Sequence, residues 1–443
     1  MIRFNFLSRA VMPRIFRAIK GLSAIGHRGV QKNLGGLRAG YVTVIAGMSF
    51  RAVFLAMLTV LLARLLGKAD YGACVVVGGI AGLFSVLAGL GASALHLRDV
   101  AINPDAWRGS FVVHHSSIWK TQPILLTLTV LVAWFVVREE VGWLSLLLLV
   151  FGDLLGAPAS DLLVRSYQGR ERYGRMALAM CALPLTRVLL IALLAMTSDF
   201  VDLRSWSLLS FLSGVGMAAL TTALAMRAQN GGSVDDKYSR DSFSGLGFSM
   251  AAASARIHAD ADKAIIAKLS SFGAAGEYSL AYRMMDVLLL PINGLIEWSM
   301  RALFRHGQGG VGASLQALWR RWLALLSMAL AACVAAYVLA ALLPAIFGEQ
   351  FQGAVLMGHW LALLPLTTAC WAMLRSIVAT AGHQKFVGVV ELIGASMSIL
   401  LGIILVSWYG WRGAVLATYG THIAMSLTVI GGAILKLRHS PEP

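Results

Sequence analysis

The segment SARIHADADKAII, residues 254–266, concentrates ionisable side chains inside an apolar part of the chain. Arg256, Asp260 and Lys263 are spaced by four and three residues, so one face of a helix carries all three and Asp260 can bridge both cations. Asp262 lies off that face. Guanidinium groups match phosphate oxygens in a bidentate way, and they bind more strongly where water is excluded. These residue types at this spacing predict recognition of an anion.

A structural role for the same face stays open, because the charges can neutralise one another and hold their helix against its neighbours. Facing lipid is excluded on cost: a charge at the centre of a membrane helix costs about 2.5–3.5 kcal/mol, so four of them together cost roughly 10 kcal/mol or more. The charged face must therefore contact protein or water. Ionisable groups inside a membrane span are by default candidates for a functional site.

The depth of the charges favours function over structure. Arg51 and Arg256 lie near the middle of two predicted spans, and other charges share this depth. We expect the midplane arginines to receive a diphosphate, and the neighbouring charged groups to pair with them or to carry a coupled ion. The predicted diphosphate ligands are Arg51, Arg256, Arg283 and Arg187, and the predicted charge partners or ion carriers are Asp153, Asp260, Asp286 and Lys263.

Composition requires a membrane protein. The chain has 443 residues, of which 58% are hydrophobic and 13% charged, and its mean hydropathy is +0.74. A soluble domain is about one quarter charged, so an ordinary cytosolic enzyme is excluded. Apolar runs long enough to cross a bilayer recur along the chain. They predict an all-α polytopic protein with twelve spans, at 40–66, 71–97, 114–137, 141–164, 175–197, 204–227, 243–268, 276–300, 317–343, 352–374, 385–408 and 412–435.

The basic residues predict the orientation of these spans. Of 37 Lys and Arg, 26 fall in the loops, tails and span ends on the side of the two termini, six fall in the loops and span ends on the other side, and five lie deeper within spans. Cytosolic loops carry the excess of Lys and Arg, so both termini are expected in the cytosol. The net charge of +16 then follows from topology and from contact with anionic membrane lipids, without a nucleic-acid partner.

The spans divide into two halves of six. We expect a basic cytosolic tail at 1–39, a first bundle at 40–227, a cytosolic linker at 228–242, a second bundle at 243–437 and a short cytosolic tail at 438–443. The basic tail has some amphipathic character. It is either a helix lying on the membrane surface or a disordered segment that enforces topology, and the sequence leaves both open.

The two halves share a short motif. The first span ends in LARLLGKADYG, residues 62–72, and the seventh ends in IAKLSSFGAAGEYS, residues 266–279. Each copy has a basic residue, a turn of small residues, an acid and a tyrosine that opens the next span. Because both spans run in the same direction, the motif predicts a parallel repeat of two six-helix bundles. The repeat also places Arg51 and Arg256 at nearly equal depth.

These two stretches resemble a known family. LARLLGKADYGACVVVGGIAGLFSVLAGLGASALHLRDVA and ADKAIIAKLSSFGAAGEYSLAYRMMDVLLLPINGL are similar to the polysaccharide-export flippases, the Wzx-type branch of the multidrug/oligosaccharidyl-lipid/polysaccharide exporter superfamily. The resemblance extends as a topological match over residues 40–437. Segment 254–266 carries more charge than the resemblance leads us to expect, which leaves the ends of the seventh span open.

The resemblance implies a carrier rather than an enzyme. It would move polyprenyl-diphosphate-linked oligosaccharide from the cytosolic to the periplasmic leaflet of the bacterial inner membrane by alternating access, for synthesis of a surface polysaccharide such as O-antigen or exopolysaccharide. No cofactor is expected. Coupling to H⁺ or Na⁺, and contact with other polysaccharide-assembly proteins, are options that the resemblance leaves open.

Two other functions remain in contention. A multidrug cation exporter of the same superfamily would have the same twelve spans, but arginines at the midplane serve a lipophilic cation poorly. An integral-membrane glycan polymerase or glycosyltransferase usually carries acidic sites on sizeable outer loops, and the outer loops predicted here are only a few residues long. Transport assays with a lipid-linked sugar and with a cationic dye separate the two exporter functions.

Overall fold

The computed structural model describes residues 35–138, 140–198, 200–229, 245–307, 309–317 and 319–439, and all regular elements within these ranges are helices. The α-helices are α1 (Gly35–Ser85), α2 (Ala92–Ile102), α3 (Trp107–Val137), α4 (Trp143–Gly169), α5 (Tyr173–Thr197), α6 (Leu203–Gln229), α7 (Leu246–Leu269), α8 (Phe272–Gly307), α9 (Gly310–Ala317), α10 (Trp319–Leu339), α11 (Leu343–Phe347), α12 (Gly353–Leu361), α13 (Leu364–Val378), α14 (Gln384–Tyr409) and α15 (Trp411–His439).

Ten stretches of the described chain are long and apolar enough to cross a membrane. One of them, Ala46–Leu90, has 45 residues and is broken at Gly67, where φ is 80° and ψ is 175°, so it crosses twice. Helix α7 has the length of a span but falls outside the ten because of its charged face. Counting both parts of α1 separately and adding α7 gives twelve crossings within the described residues, as the sequence predicted.

Two crossings are interrupted where the sequence predicted continuous spans. The second, predicted at 71–97, is broken after Ser85 by a 3₁₀ turn at Ala88–Leu90, and Gly89, Leu90 and Gly91 all have positive φ. The tenth, predicted at 352–374, consists of α12 and α13. Broken helices are tolerated at membrane depth only where the protein itself or a water-filled cavity satisfies the backbone.

The first and last helices extend a few residues into the predicted tails. Helix α1 begins at Gly35, inside the predicted tail 1–39, and α15 continues to His439, past the predicted start of the last tail. The proposed surface helix or disordered segment therefore lies largely outside the described residues, which begin at 35. The predicted linker 228–242 lies mostly in 230–244, which is also outside them.

The helix directions define two faces of the molecule. We call the side where α1 begins the terminal face, and the side of the Gly67 break the Gly67 face. The turns at 103–106 and 170–172 lie on the terminal face, while the turns at 138–142 and 270–271 lie on the Gly67 face. Helices α1 to α6 form the first lobe and α7 to α15 the second.

A buried glutamine repairs a proline in the first lobe. Pro158 stands inside α4 and lacks an N–H, so the carbonyl of Leu154, four residues earlier, has no helical partner. Gln122 on α3 donates its Nε2 to that carbonyl oxygen at 2.8 Å, while its own Oε1 is buried without a partner. Within the described residues, this donation is therefore the one hydrogen bond that the buried amide makes.

Replacing Gln122 with leucine is expected to lower stability only while Pro158 is present. Leaving a buried carbonyl unsatisfied costs about 1–3 kcal/mol. In Pro158→Ala, the restored N–H supplies the helical bond, so Gln122→Leu should be neutral there. Unfolding of the four proteins in detergent, arranged as a double-mutant cycle, measures this coupling. If Gln122→Leu lowers the free energy of unfolding equally with Pro158 and with Pro158→Ala, the assigned role of the hydrogen bond to Leu154 is wrong.

Candidate anion-binding site

The charged face of α7 has the predicted pairing. Asp260 accepts from Arg256 Nη1 at 3.4 Å and lies 3.4 Å from Lys263 Nζ, so it bridges both cations. Lys263 also lies 3.3 Å from Asp262 and 4.2 Å from the ring centre of Tyr282. The side chain of Lys263 is 3% exposed, whereas that of Arg256 is 47% exposed. The Lys263 end is thus committed to protein contacts, and the Arg256 end remains accessible.

Arg51 lies within electrostatic range of the accessible end of this ladder. It is exposed on α1, and it makes neither a hydrogen bond nor an ion pair with the described residues. Its charge interacts with that of Arg256 on α7, which repels it, and with that of Asp161 on α4, which attracts it. Two guanidinium groups that repel each other across the lobe boundary favour an anion between them.

The same polar region includes α8. Arg283 Nη1 lies 3.5 Å from Asp286 Oδ2, and these two side chains are 53% and 46% exposed. The charge of Arg283 also acts on Asp260, and that of Lys263 acts on Asp286. We define the central charge cluster as the following seven residues, four basic and three acidic: Arg51, Arg256, Asp260, Asp262, Lys263, Arg283 and Asp286.

Arg187 lies apart from this cluster. It donates to Asp153 Oδ1 at 2.6 Å and to Ser213 Oγ at 3.1 Å, joining α5 to α4 and α6. The side chains of Arg187 and Asp153 are only 15% and 22% exposed. This pair is self-neutralising, so Arg187 is the least accessible of the four predicted diphosphate ligands.

A glycine-rich stretch of α1 runs between the Arg187–Asp153 pair and the central charge cluster. A Cβ at Gly78 would lie 3.5 Å from Asp153 Oδ2, and one at Gly79 would lie 3.1 Å from Asp260 Cβ. Gly82 is next to Arg256, with 3.9 Å between its ideal Cβ and the guanidinium carbon. The absence of side chains therefore brings the α1 backbone next to charged groups of both lobes.

The lobes touch closely at the Gly67 face. A Cβ at Gly72 would overlap the carbonyl oxygen of Phe272, and a Cβ at Gly276 would lie 2.6 Å from the carbonyl oxygen of Lys68. Arg64 donates to the carbonyl oxygens of Ala345 and Ile346 at 2.9 and 2.8 Å. The two copies of the repeated motif thus pack directly against each other at this face.

The lobes also meet near the terminal face, at the break in the second crossing. Cβ atoms at Gly91 and Gly245 would overlap the carbonyl oxygens of Gly245 and Leu90, respectively. Gly91 has φ of 89°, which only glycine adopts without strain. The central charge cluster therefore lies in a region bounded by close backbone contacts towards both faces.

A buried polar network in the first lobe was missed from the sequence. His114 Nε2 lies 2.9 Å from Asp99 Oδ2, and His96 Nδ1 lies 2.9 Å from Ser110 Oγ, which lies 3.5 Å from the same carboxylate oxygen. The side chains of His96 and Ser110 are fully buried. Polar residues at i, i+4 positions of α3 were the only sequence signal. The contacts to α2 depend on the turn between the helices.

Two further ion pairs lie outside the central charge cluster. Arg165 lies 3.4 Å from Asp161, an i,i+4 pair within α4. Glu391 pairs with Arg375 at 2.9 Å, so this pair joins α14 to α13.

The chain matches the family described as "Polysaccharide biosynthesis protein" over residues 39–304, which is more than half of its length. The chain belongs to this family. The matched region contains nearly all of the first lobe and of α7 and α8, and with them every member of the central charge cluster. No curated protein sequence matches the chain.

Solved structures show the same fold at low sequence identity. The lipid II flippase MurJ in an inward closed conformation has a TM-score of 0.66 at 12% identity, covering 88% of this chain and 87% of that one. An inward-facing multidrug resistance MATE family transporter of the MOP superfamily scores 0.65 at 15% identity, covering 90% and 99%. An outward-facing MATE family transporter scores 0.56 at 14% identity, covering 90% and 94%. The predicted family and the predicted fold class are confirmed.

Proposed function

We propose that the protein is a flippase that moves a polyprenyl-diphosphate-linked oligosaccharide from the cytosolic leaflet to the opposite leaflet. The observation that carries the proposal is the accessible, net positive end of the central charge cluster, where Arg51, Arg256 and Arg283 approach the lobe boundary. Guanidinium groups at such a site bind the two phosphates bidentately. The glycan stays in the polar region between the lobes, and the prenyl chain remains in lipid.

Transport proceeds by rocking of one lobe against the other around the fixed site. The protein lies in a bacterial inner membrane with both termini in the cytosol, so the terminal face is cytosolic. Outward movement of an anion across an inside-negative membrane is favourable by about 2.3 kcal/mol of free energy per charge per 100 mV. Exchange with H⁺ or Na⁺ at Asp153, Asp260 or Asp286 adds to this drive, and other polysaccharide-assembly proteins supply and receive the substrate.

Binding of a short prenyl diphosphate is the test. We expect farnesyl diphosphate to bind the purified protein in detergent at a single site, as measured by calorimetry, and inorganic pyrophosphate to compete with it. The cationic dye rhodamine 6G should bind at least about tenfold more weakly, because the cluster carries an excess of positive charge. Tight binding of the dye without binding of the diphosphate would instead indicate a cation exporter.

A further inference from the structure

A cavity on the terminal face is separate from the central charge cluster. It has a volume of about 570 Å³, which falls in the range of ligand pockets, about 300–1,000 Å³. The first lobe alone forms it, from the end of α2, the turn before α3 and the turn between α4 and α5. Its wall includes Asp105, Trp107, Arg170, Glu171 and Arg172.

One guanidinium in the cavity wall is held in place. Arg170 donates from Nε to the Ser166 carbonyl oxygen at 2.9 Å and from Nη2 to Ser166 Oγ at 3.0 Å. It also lies 4.0 Å from the Trp107 ring centre and 4.9 Å from that of Tyr167. Burial, together with the nearby charges of Arg172 and Arg175, lowers the pKa of Arg170 to about 10, so it stays cationic at neutral pH. Its Nη1 has no hydrogen-bond partner among the described residues.

Charges of both signs surround this fixed group. Asp105, Glu171 and Arg172 are exposed, and none of their side chains has a hydrogen-bond or ion-pair partner in the described chain. Glu171 has φ of 54°, an uncommon conformation for a residue other than glycine. Such outliers cluster at functional sites, where the surrounding structure maintains them.

The mixture of charges selects the class of ligand. A simple anion is repelled by the two carboxylates, and a simple cation is repelled by Arg170 and Arg172. A hydroxyl group both donates and accepts hydrogen bonds, so a polyol satisfies carboxylates and guanidinium groups together. Gln168 and Tyr173 add further polar groups to the wall.

We propose that this cavity binds a saccharide, and that it holds a sugar unit of the lipid-linked substrate beside the route to the central charge cluster. The inference rests on the proposed function for the identity of the molecule that carries the sugar, but the sugar-binding property itself does not. The carboxylates accept hydrogen bonds from sugar hydroxyls, and Arg170 Nη1 and Arg172 donate to sugar oxygens.

Saturation-transfer NMR on the full-length protein in phosphatidylcholine nanodiscs tests the proposal. The probes are D-glucose, D-galactose, D-mannose, N-acetyl-D-glucosamine and D-glucuronate. We expect at least one to receive saturation, and Asp105→Asn with Glu171→Gln to weaken its apparent binding about tenfold through loss of charge-assisted hydrogen bonds. Glu140→Gln, an exposed acid on the Gly67 face, should change nothing.

Three outcomes would overturn the sugar site. They are no saturation of any probe, saturation that is unchanged in the double variant, and displacement of the sugar by inorganic phosphate or by phosphatidylglycerol added to the nanodiscs. The last outcome would identify an anion site, with phosphate distinguishing a free anion from a lipid headgroup.

Farnesyl diphosphate separates this inference from the proposed function. Arg51→Ala with Arg256→Ala should abolish farnesyl diphosphate binding and leave sugar saturation intact. Asp105→Asn with Glu171→Gln should weaken sugar binding and leave farnesyl diphosphate binding intact. Diphosphate binding without sugar saturation would remove the cavity site alone. Sugar saturation without diphosphate binding would remove the proposed function and leave the cavity site.

Discussion

Replacing both Arg51 and Arg256 with alanine is expected to reduce the surface glycan at least about 100-fold at an unchanged level of protein in the membrane. Each charge-assisted hydrogen bond contributes about 1.5–3 kcal/mol, and tenfold in affinity corresponds to about 1.4 kcal/mol, so losing two guanidinium groups exceeds this factor. The fold should not be destabilised, because the two charges repel each other, Arg256 is about half exposed and Asp260 keeps its contact with Lys263. Glycan staining of a strain that depends on this gene measures the effect.

The lysine variants test the geometry of recognition. Lysine keeps the charge but loses the planar fork, so Arg51→Lys with Arg256→Lys should retain an intermediate amount of glycan. Arg204→Ala, an exposed arginine on the Gly67 face, is the matched control and should be normal. Full glycan in the double alanine variant, at a normal protein level, would rule out this site.

Arg187 should behave differently from these two arginines. Because it is already bonded to Asp153 and Ser213, its removal leaves a partly buried carboxylate without its cation. Breaking one partner of such a pair is strongly destabilising, so the loss appears as less folded protein rather than as a specific transport defect. The burial and pairing of Arg187 therefore distinguish its structural contribution from the substrate recognition expected of Arg51 and Arg256.

Sequence reasoning succeeded where one helix contains all the information. The spacing of Arg256, Asp260 and Lys263 predicted their bridge, because 3.6 residues per turn fixes which side chains share a face. The lengths of the apolar runs predicted twelve crossings, because each run by itself shows whether it can span the bilayer. The low charge of ordinary spans also made α7 stand out, since a charged face in lipid is too costly unless protein or water covers it.

Contacts between helices were harder to predict. Asp153 and Arg187 are 34 residues apart, and Glu391 pairs across a turn with Arg375, so both depend on which helix faces meet. The break at 88–91 has glycines as its only local signal, and these could equally have served close helix packing. The cavity around Arg170 combines two turns that are about 65 residues apart in the chain, which no local pattern relates.

A bulky residue at Gly72 is expected to hold the Gly67 face open. The Gly72 position has no room for a side chain, because a Cβ would overlap the Phe272 carbonyl oxygen and would lie 3.1 Å from the Gly276 nitrogen. Backbone atoms cannot move aside within one lobe, but the two lobes can separate. Overpacking costs about 1–3 kcal/mol, which shifts an equilibrium between closed and open lobes by about 5- to 150-fold.

Spin labels at Glu140→Cys and Gln352→Cys measure this shift, because both positions are exposed and lie on the Gly67 face in different lobes. The four native cysteines would be replaced by alanine in this background. Gly72→Leu should move the distance distribution to longer values and stop glycan export, while the protein still reaches the membrane. Gly142→Leu is the control at the same face, since a Cβ there meets nothing within 4 Å.

The two measurements together identify the step that fails. Alternating access requires the Gly67 face to close while the substrate binds from the terminal face. If Gly72→Leu lengthens the distance and blocks export, the packing of the two motif copies is the closure that the cycle needs. If export stops at an unchanged distance, the glycine acts within its own lobe, and the closure must lie elsewhere along the lobe boundary. Farnesyl diphosphate binding should survive in the variant, because Gly72 lies beyond the Gly67 break from Arg51 and the lobes rock about the fixed site.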